Sequence, residues 1–182
     1  MDNDALSTFI HNVQQAYGPL TTELVAHVHA QITQLTAAPP TQPWLRALHV
    51  EAPASQELHR DKKHGFMLLA HTEPQDLYRA PHDHGRGWVI YALQRGELEI
   101  GTYARVQDAE GRVRLVRRDV TLLRAGEARV YLPGDIHDTR CVNGPALLFR
   151  FTDRDLKQED QVAHTLTRYT QQAGVWTTGP AT

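Results

Sequence analysis

Histidine is the residue type that stands out in this 182-residue chain, which contains eleven of them. Two, His82 and His84, are separated by one residue in the segment Pro81-His82-Asp83-His84-Gly85. On a β-strand, side chains two positions apart project from the same face, so both imidazoles could bind one metal ion. His27 and His29 have the same spacing in a segment of helical periodicity, where they would lie about 200° apart. Only the first pair therefore predicts part of a metal site.

A third candidate ligand follows a tight-turn signal. The segment Leu132-Pro133-Gly134-Asp135-Ile136-His137 places a Pro-Gly turn directly before a strand that contains His137. In a barrel, side chains that face inward from neighbouring strands meet, which would bring His137 beside His82 and His84. Three protein ligands leave coordination positions open for a substrate, as a catalytic metal site requires. The sequence therefore predicts a three-histidine metal centre.

The elements that must position these histidines divide the chain in two. In the first fifty residues, apolar residues at helical spacing predict two helices, one around Leu6–Val13 and one around Leu24–Leu35. Pro39, Pro40 and Pro43 predict a stiff connector after them. We expect residues 1–50 to form a helical cap.

After about residue 55, short apolar segments alternate with turn signals such as Arg95-Gly96 and Asn143-Gly144-Pro145, a pattern typical of a β-barrel or jelly roll. We expect this barrel over residues 51–182, forming one compact domain with the helical cap. The candidate strands are Phe66–His71, Trp88–Gln94, Glu97–Arg105, Arg112–Leu123, Ala128–Leu132, Ile136–Val142 and Ala146–Phe151.

Two segments resemble the two sequence motifs of the cupin superfamily. Pro81–Tyr103 resembles the first motif, with a His-x-His pair followed by a strand and a glycine-containing turn. Gly126–Asn143 resembles the second, and the matching residues are Gly126, Pro133, Gly134, His137 and Asn143. The resemblance implies a mainly β fold, the cupin barrel (a double-stranded β-helix or jelly roll), here with N-terminal α-helices. The usual cupin has a glutamate ligand four or five residues after the second histidine, where this chain has Trp88 and Val89.

A centre of three imidazoles without a carboxylate resembles that of the thiol dioxygenases, the cupin branch that includes cysteine dioxygenase and 3-mercaptopropionate dioxygenase. The resemblance implies Fe(II), dioxygen and a small anionic thiol carboxylate that is oxidised to a sulfinate. In that branch an arginine upstream of the His-x-His pair binds the substrate carboxylate, and Arg60 is the closest match by position. The Ser-x-His-x-Tyr series of those enzymes is absent from the corresponding stretch, 148–153, where Arg150 could bind the anion instead. Tyr91 could supply a hydroxyl near the metal.

Other metals and reactions stay open at this stage. Zinc suits three histidines, and nickel or manganese are further candidates. A metal-dependent isomerase or hydrolase-like cupin is one alternative function, and a non-catalytic cupin that binds a small molecule is another. No organic cofactor is expected.

Composition excludes several classes of partner. The formal charge of −2 and the pI near 6.6 do not favour a nucleic-acid-binding protein, and no apolar run approaches the ~20 residues of a membrane span. One cysteine, Cys141, cannot form an internal disulfide, and the N-terminal sequence does not resemble a signal peptide, so we expect a cytoplasmic protein. An exposed sheet edge could pair with a second copy, which would allow a homodimer.

Overall fold

The computed structural model describes residues 4–178 and begins with three helices, α1 (Ala5–Ala16), α2 (Thr22–Thr36) and α3 (Pro43–Glu51). The side chains of Asp4 and Thr21 accept hydrogen bonds from the first backbone N–H groups of α1 and α2, which stabilises both N-termini. The first two helices confirm the predicted apolar stripes. The predicted connector is wrong at Pro43, which starts α3, because the first turn of a helix tolerates the missing N–H of proline.

The rest of the chain is mainly β-structure. Its elements within the described residues are β1 (Gln56–Arg60), β2 (Met67–Glu73), β3 (Tyr78–His82), β4 (Val89–Gln107), β5 (Val113–Arg124), β6 (Ala128–Tyr131), β7 (Ile136–Thr152), α4 (Leu156–Gln161), β8 (Tyr169–Gln172) and β9 (Val175–Thr178). Strands β1 and β3 lie outside the candidate strands because the segments that form them are short and polar.

The two longest strands, β4 and β7, pair with each other along most of their length and are shared by two sheets. The first half of β4 pairs with β6, and the second half of β7 pairs with β2, which in turn pairs with β1. The other halves of β4 and β7 pair with β5 and β3. The result is a jelly-roll sandwich with N-terminal helices. In the part of the chain that the structure describes, the strands do not close into a continuous hydrogen-bonded barrel, so the predicted β fold takes its jelly-roll form.

Strand β4 passes from one sheet to the other without a turn. Its pairing with β7 shifts register between Leu93 and Glu97, and Gly96 lies within this bend with φ +85°. A Cβ atom on Gly96 would lie 2.5 Å from the Asn143 carbonyl oxygen and 2.7 Å from Ala146 Cβ. Arg95-Gly96 is therefore a bend inside one strand, and the prediction of two strands separated by a turn is wrong here.

The side chains of β4 alternate between two cores. Ile90 and Ala92 face outward and belong to the cluster that the helices cover, together with Val28 and Ile32 of α2. Their neighbours Val89, Tyr91 and Leu93 face inward and pack with Leu148 and other residues of the sandwich interior. Because both faces of this sheet are covered, the first half of β4 is a continuous apolar segment. No helix among residues 4–178 is long and apolar enough to cross a membrane.

Candidate metal centre

His82, His84 and His137 meet inside the sandwich. One ring nitrogen from each lies within 4.8 Å of the others, and the ring centroids are 4.8 to 5.3 Å apart. His82 ends β3 and lies opposite His137 of β7, whereas His84 follows in the loop after β3. His84 and His137 are 2 % and 0 % exposed, and His82 is half-buried. The convergence of the three rings was predicted, although a turn rather than strand alternation brings His84 to the other two.

The nitrogen atoms of this cluster fit a metal ion. The Nδ1 atom of His82 lies 2.9 Å from the carbonyl oxygen of Ala80. A carbonyl only accepts hydrogen bonds, so Nδ1 carries the proton and Nε2 keeps its lone pair for a ligand. The carbonyl contact also fixes the orientation of the ring, as second contacts of metal-binding histidines commonly do.

Tyr91 contacts the other two histidines. Its hydroxyl oxygen lies 3.3 Å from Nε2 of both His84 and His137, although one hydroxyl proton can serve only one nitrogen at a time. Their Nδ1 atoms are buried and have no hydrogen-bond partner within residues 4–178. Buried polar atoms without partners cost free energy, so these rings have binding capacity that an ion could use.

Burial keeps the three imidazoles neutral. It lowers the pKa of His84 to about 2, and the proximity of His82 and Arg150 lowers that pKa further than burial alone would. The pKa values of His82 and His137 are also lowered, and burial is the main cause for both. A metal ion binds the neutral imidazole, so the environment maintains the protonation state that ligation needs. The cluster could therefore hold a metal ion at neutral pH.

Asp83, between two of the histidines, holds their loop in place. Its Oδ1 atom accepts hydrogen bonds from the backbone N–H groups of Gly85 and Thr167, both at 2.9 Å. Its own N–H donates to the carbonyl oxygen of Thr167 at 3.0 Å. His82 forms a β-bridge with Arg168 next to this contact. The segment that follows α4 therefore fastens the loop that carries His82 and His84.

Tyr131 belongs to the site, although the sequence analysis missed it. Its ring stacks on that of His137 with centroids 4.0 Å apart and an interplanar angle of 27°, and it lies 5.4 Å from the ring of Tyr91. Tyr131 is opposite Val89 in the β4–β6 pairing. No signal in the sequence separates this tyrosine from an ordinary core residue, because its position depends on that register.

A cavity of about 720 Å³ opens beside the cluster. His82, His84, Tyr91 and Arg150 line it, whereas His137 lies behind its wall. Arg150 of β7 is directly opposite Tyr91 of β4, so its side chain enters the same interior space. Two of the predicted residues other than histidine, Tyr91 and Arg150, are therefore at the site.

Arg60 is not. It lies on β1, at the edge of the sheet, and is not among the residues that line the cavity. Its guanidinium group forms ion pairs with Glu57 at 2.9 Å and with Asp155 at 2.8 Å. Arg60 and Arg150 were both candidates for binding the substrate, and of the two only Arg150 lines the cavity.

In comparisons with known proteins, this chain is similar only to solved structures. No protein-family model and no curated protein matches the chain. Similar solved structures include the cupin domain of Schizosaccharomyces pombe Cnp3, with a TM-score of 0.44 and 9 % identity over 59 % of this chain and 64 % of that one. The match thus spans slightly less than two thirds of that solved domain.

Two further structures have comparable scores. KdgF from a Halomonas species has a TM-score of 0.44 and 17 % identity over 59 % of this chain and 82 % of that one. A cupin superfamily protein from Desulfitobacterium hafniense has a TM-score of 0.42 and 13 % identity over 56 % and 76 %.

Proposed function

We propose that the protein is a metal-dependent oxidoreductase that oxidises a small thiol carboxylate to a sulfinate with dioxygen. His82, His84 and His137 would hold a divalent metal, with Fe(II) as the first candidate. The observation that carries this proposal is the convergence of three neutral imidazoles, two of them buried and one half-buried, beside a cavity whose wall includes Arg150 with a buried guanidinium nitrogen.

The donor set favours an anionic substrate. Three neutral imidazoles leave the full charge of a divalent ion uncompensated, and facial ligation by three residues leaves positions for other ligands. A thiolate suits such a position because metal binding deprotonates a thiol. When bound, the metal would supply a place where sulfur and dioxygen can react.

The chain itself would bind and orient the substrate. The guanidinium group of Arg150 presents several N–H donors in a planar fork that matches a carboxylate. Arg150 lies opposite Tyr91, whose hydroxyl contacts two of the histidines, so the carboxylate would be held at a short distance from the metal centre. The hydroxyl of Tyr91 could donate a hydrogen bond to a group bound there.

The reaction balances without a further reagent. The thiol and one dioxygen molecule give one sulfinic acid, so both oxygen atoms are transferred to sulfur. Two S–O bonds form, the O–O bond breaks, and sulfur loses the four electrons that dioxygen gains. The thiol would give up its proton, and the product would form as the sulfinate anion.

Metal analysis combined with oxygen consumption tests the proposal. The purified protein should contain iron, or take it up, and should consume oxygen when small thiol carboxylates are added. Arg150→Gln should lower kcat/KM by about tenfold or more, because a charged hydrogen bond to the carboxylate is lost. The matched variant Arg60→Gln removes an arginine outside the cavity and should keep kcat/KM within about twofold.

Two outcomes would contradict the proposed oxidation of a thiol carboxylate. Bound zinc or nickel with no thiol-dependent oxygen uptake would support an isomerase or hydrolase-like enzyme, for which three histidines are also a suitable zinc site. Failure to bind any divalent metal would support a non-catalytic protein that binds a small molecule.

A further inference from the structure

Two buried polar atoms of side chains that line the cavity have no hydrogen-bond partner within residues 4–178, and neither belongs to the histidine cluster. They are Nε2 of His71 and Nε of Arg150, and both side chains line the cavity. In the pairing of β2 with β7, His71 is opposite Leu148 and Arg150 is opposite Leu69. The two side chains are therefore diagonal neighbours on one face of the sheet, within reach of one small ligand.

The only ring nitrogen of His71 that is free for a ligand is an acceptor. Its Nδ1 atom lies 3.3 Å from the carbonyl oxygen of Ala54. Since the carbonyl cannot donate, Nδ1 carries the proton and Nε2 presents a lone pair. Burial and, secondly, the charge of Arg150 lower the pKa of His71 to about 3, so the ring is neutral at physiological pH. A ligand that satisfies Nε2 must bring a hydrogen-bond donor.

The charged groups around the cavity favour a ligand that is anionic overall. Arg79 pairs with Glu73 at 2.9 Å, and Arg168 pairs with Asp160 at the distance of a close ion pair, so these four charges compensate one another. Among the other side chains that line the cavity, Arg150 is cationic, and it forms no ion pair with the residues that the structure describes. Lys157 adds a second positive charge.

The ligand group that donates a hydrogen bond to Nε2 of His71 binds more favourably if it is uncharged than if it is cationic. An ammonium group would face the guanidinium of Arg150, whereas the neutral ring of His71 could not compensate its charge. A hydroxyl group can donate to Nε2 without that repulsion. A 2-hydroxy carboxylate carries such a donor on the carbon next to its anionic group, so one small molecule could offer a partner to both side chains.

We propose that Arg150 and His71 form a two-point subsite for a 2-hydroxy carboxylate, in which the guanidinium binds the carboxylate and Nε2 of His71 accepts a hydrogen bond from the hydroxyl. The inference rests on the proposed function only for the reaction at the other end of the substrate. It narrows the substrate class to thiol carboxylates with a hydroxyl next to the carboxylate. His71 would thus determine specificity without touching the metal.

Binding of simple acids to the metal-free full chain tests the subsite directly. The probes are propionate, 2-hydroxypropionate and 2-aminopropionate, measured by isothermal titration calorimetry or ligand-observed NMR. The hydroxy acid should bind about tenfold more tightly than propionate, a ratio that corresponds to about 1.4 kcal/mol and to one well-formed hydrogen bond. His71→Leu should reduce this preference to about one, whereas Arg150→Gln should weaken the binding of all three acids. His11→Leu, on the exposed side of α1, serves as the matched control and should retain the preference.

Equal affinities for propionate and the hydroxy acid would overturn the proposal, as would tighter binding of the amino acid. An unchanged preference in His71→Leu would overturn it as well. The comparison between probes is made on one protein at a time, so partial misfolding of a variant cannot imitate a change in preference, and the wild-type ratios already decide the question. The binding measurements are made without metal. The proposed subsite can therefore be wrong while the metal-dependent oxidation is right, and the oxidation can be wrong while the subsite is right.

Discussion

Burial decides the protonation state of the histidines in the cavity, and for His71 this has a consequence for stability. Its pKa is lowered from 6.5 to about 3 in the folded protein, mainly by burial and secondly by Arg150. The unfolded chain therefore binds a proton below about pH 6.5 that the folded chain does not bind. The stability that this histidine contributes above pH 6.5 is lost progressively as the pH falls towards 3.

The variant His71→Leu should have a shallower pH dependence of stability. We expect it to remove about 1 kcal/mol of the loss in unfolding free energy between about pH 7 and pH 5.5, from the ~1.4 kcal/mol that one pKa unit represents. Urea unfolding at several pH values measures this slope. His11→Leu, which removes an exposed histidine, should follow the wild-type curve. A His71→Leu slope equal to that of the wild type would show that the ring is protonated in the folded state.

The residues of the site differ in how well the sequence could predict them. The histidines could be predicted because their residue type is informative and their spacing restricts the geometry. Tyr131 could not, since a tyrosine in an apolar strand becomes part of a site only through the register of its neighbours. Arg60 and Arg150 show the same limit, because only the strand pairing tells which arginine enters the interior.

The loop that carries His82 and His84 depends on an element far along the chain, the segment after α4. Removing the carboxylate in Asp83→Ala would leave the N–H groups of Gly85 and Thr167 without their acceptor. We expect metal affinity to fall by about tenfold or more, as loss of contacts that orient metal ligands typically does. Competition with a chromophoric chelator measures the affinity.

The variant Asp83→Asn is the matched control for this prediction. It keeps an oxygen acceptor of the same shape and should bind metal within about threefold of the wild type. If Asp83→Ala also retained wild-type affinity, the contact between Asp83 and Thr167 would have no part in positioning the ligands.

Strand existence was easier to predict than strand continuity. The apolar segments on each side of Arg95-Gly96 and of Asn143-Gly144-Pro145 are strands, as predicted, but each pair forms one strand, β4 or β7. Glycine marks a local change of backbone direction, and sequence alone does not say whether the partner strand follows that change. Here the pairing between β4 and β7 continues through the bend, and this continuity joins the two sheets into one sandwich.

At the scale of the whole molecule, the sheet formed by β2, β7, β4 and β6 separates two cores that have different tasks. The outer core, under the helices, contains no residue of the histidine cluster or the cavity wall, whereas the inner core contains Tyr91, Tyr131 and Leu148. We therefore expect that substitutions in the outer core can change stability without changing the geometry of the site. The helical cap would supply stability, and the sandwich interior would shape the site.

A pair of cavity-forming substitutions tests this division. Ile32 of α2 is 0 % exposed in the outer core, and Leu148 of β7 is 5 % exposed in the inner core and lines the cavity. Both Ile32→Ala and Leu148→Ala should lower the free energy of unfolding by about 2–5 kcal/mol, because each removes buried methyl and methylene groups. Urea unfolding measures this loss.

Metal affinity and kcat/KM, measured well below the unfolding midpoint, should stay within about twofold in Ile32→Ala, whereas Leu148→Ala should raise KM by enlarging the cavity beside Arg150. A loss of metal affinity in Ile32→Ala comparable to its loss of stability would mean that the helices help to position the ligands, and the two cores would then have to be treated as one.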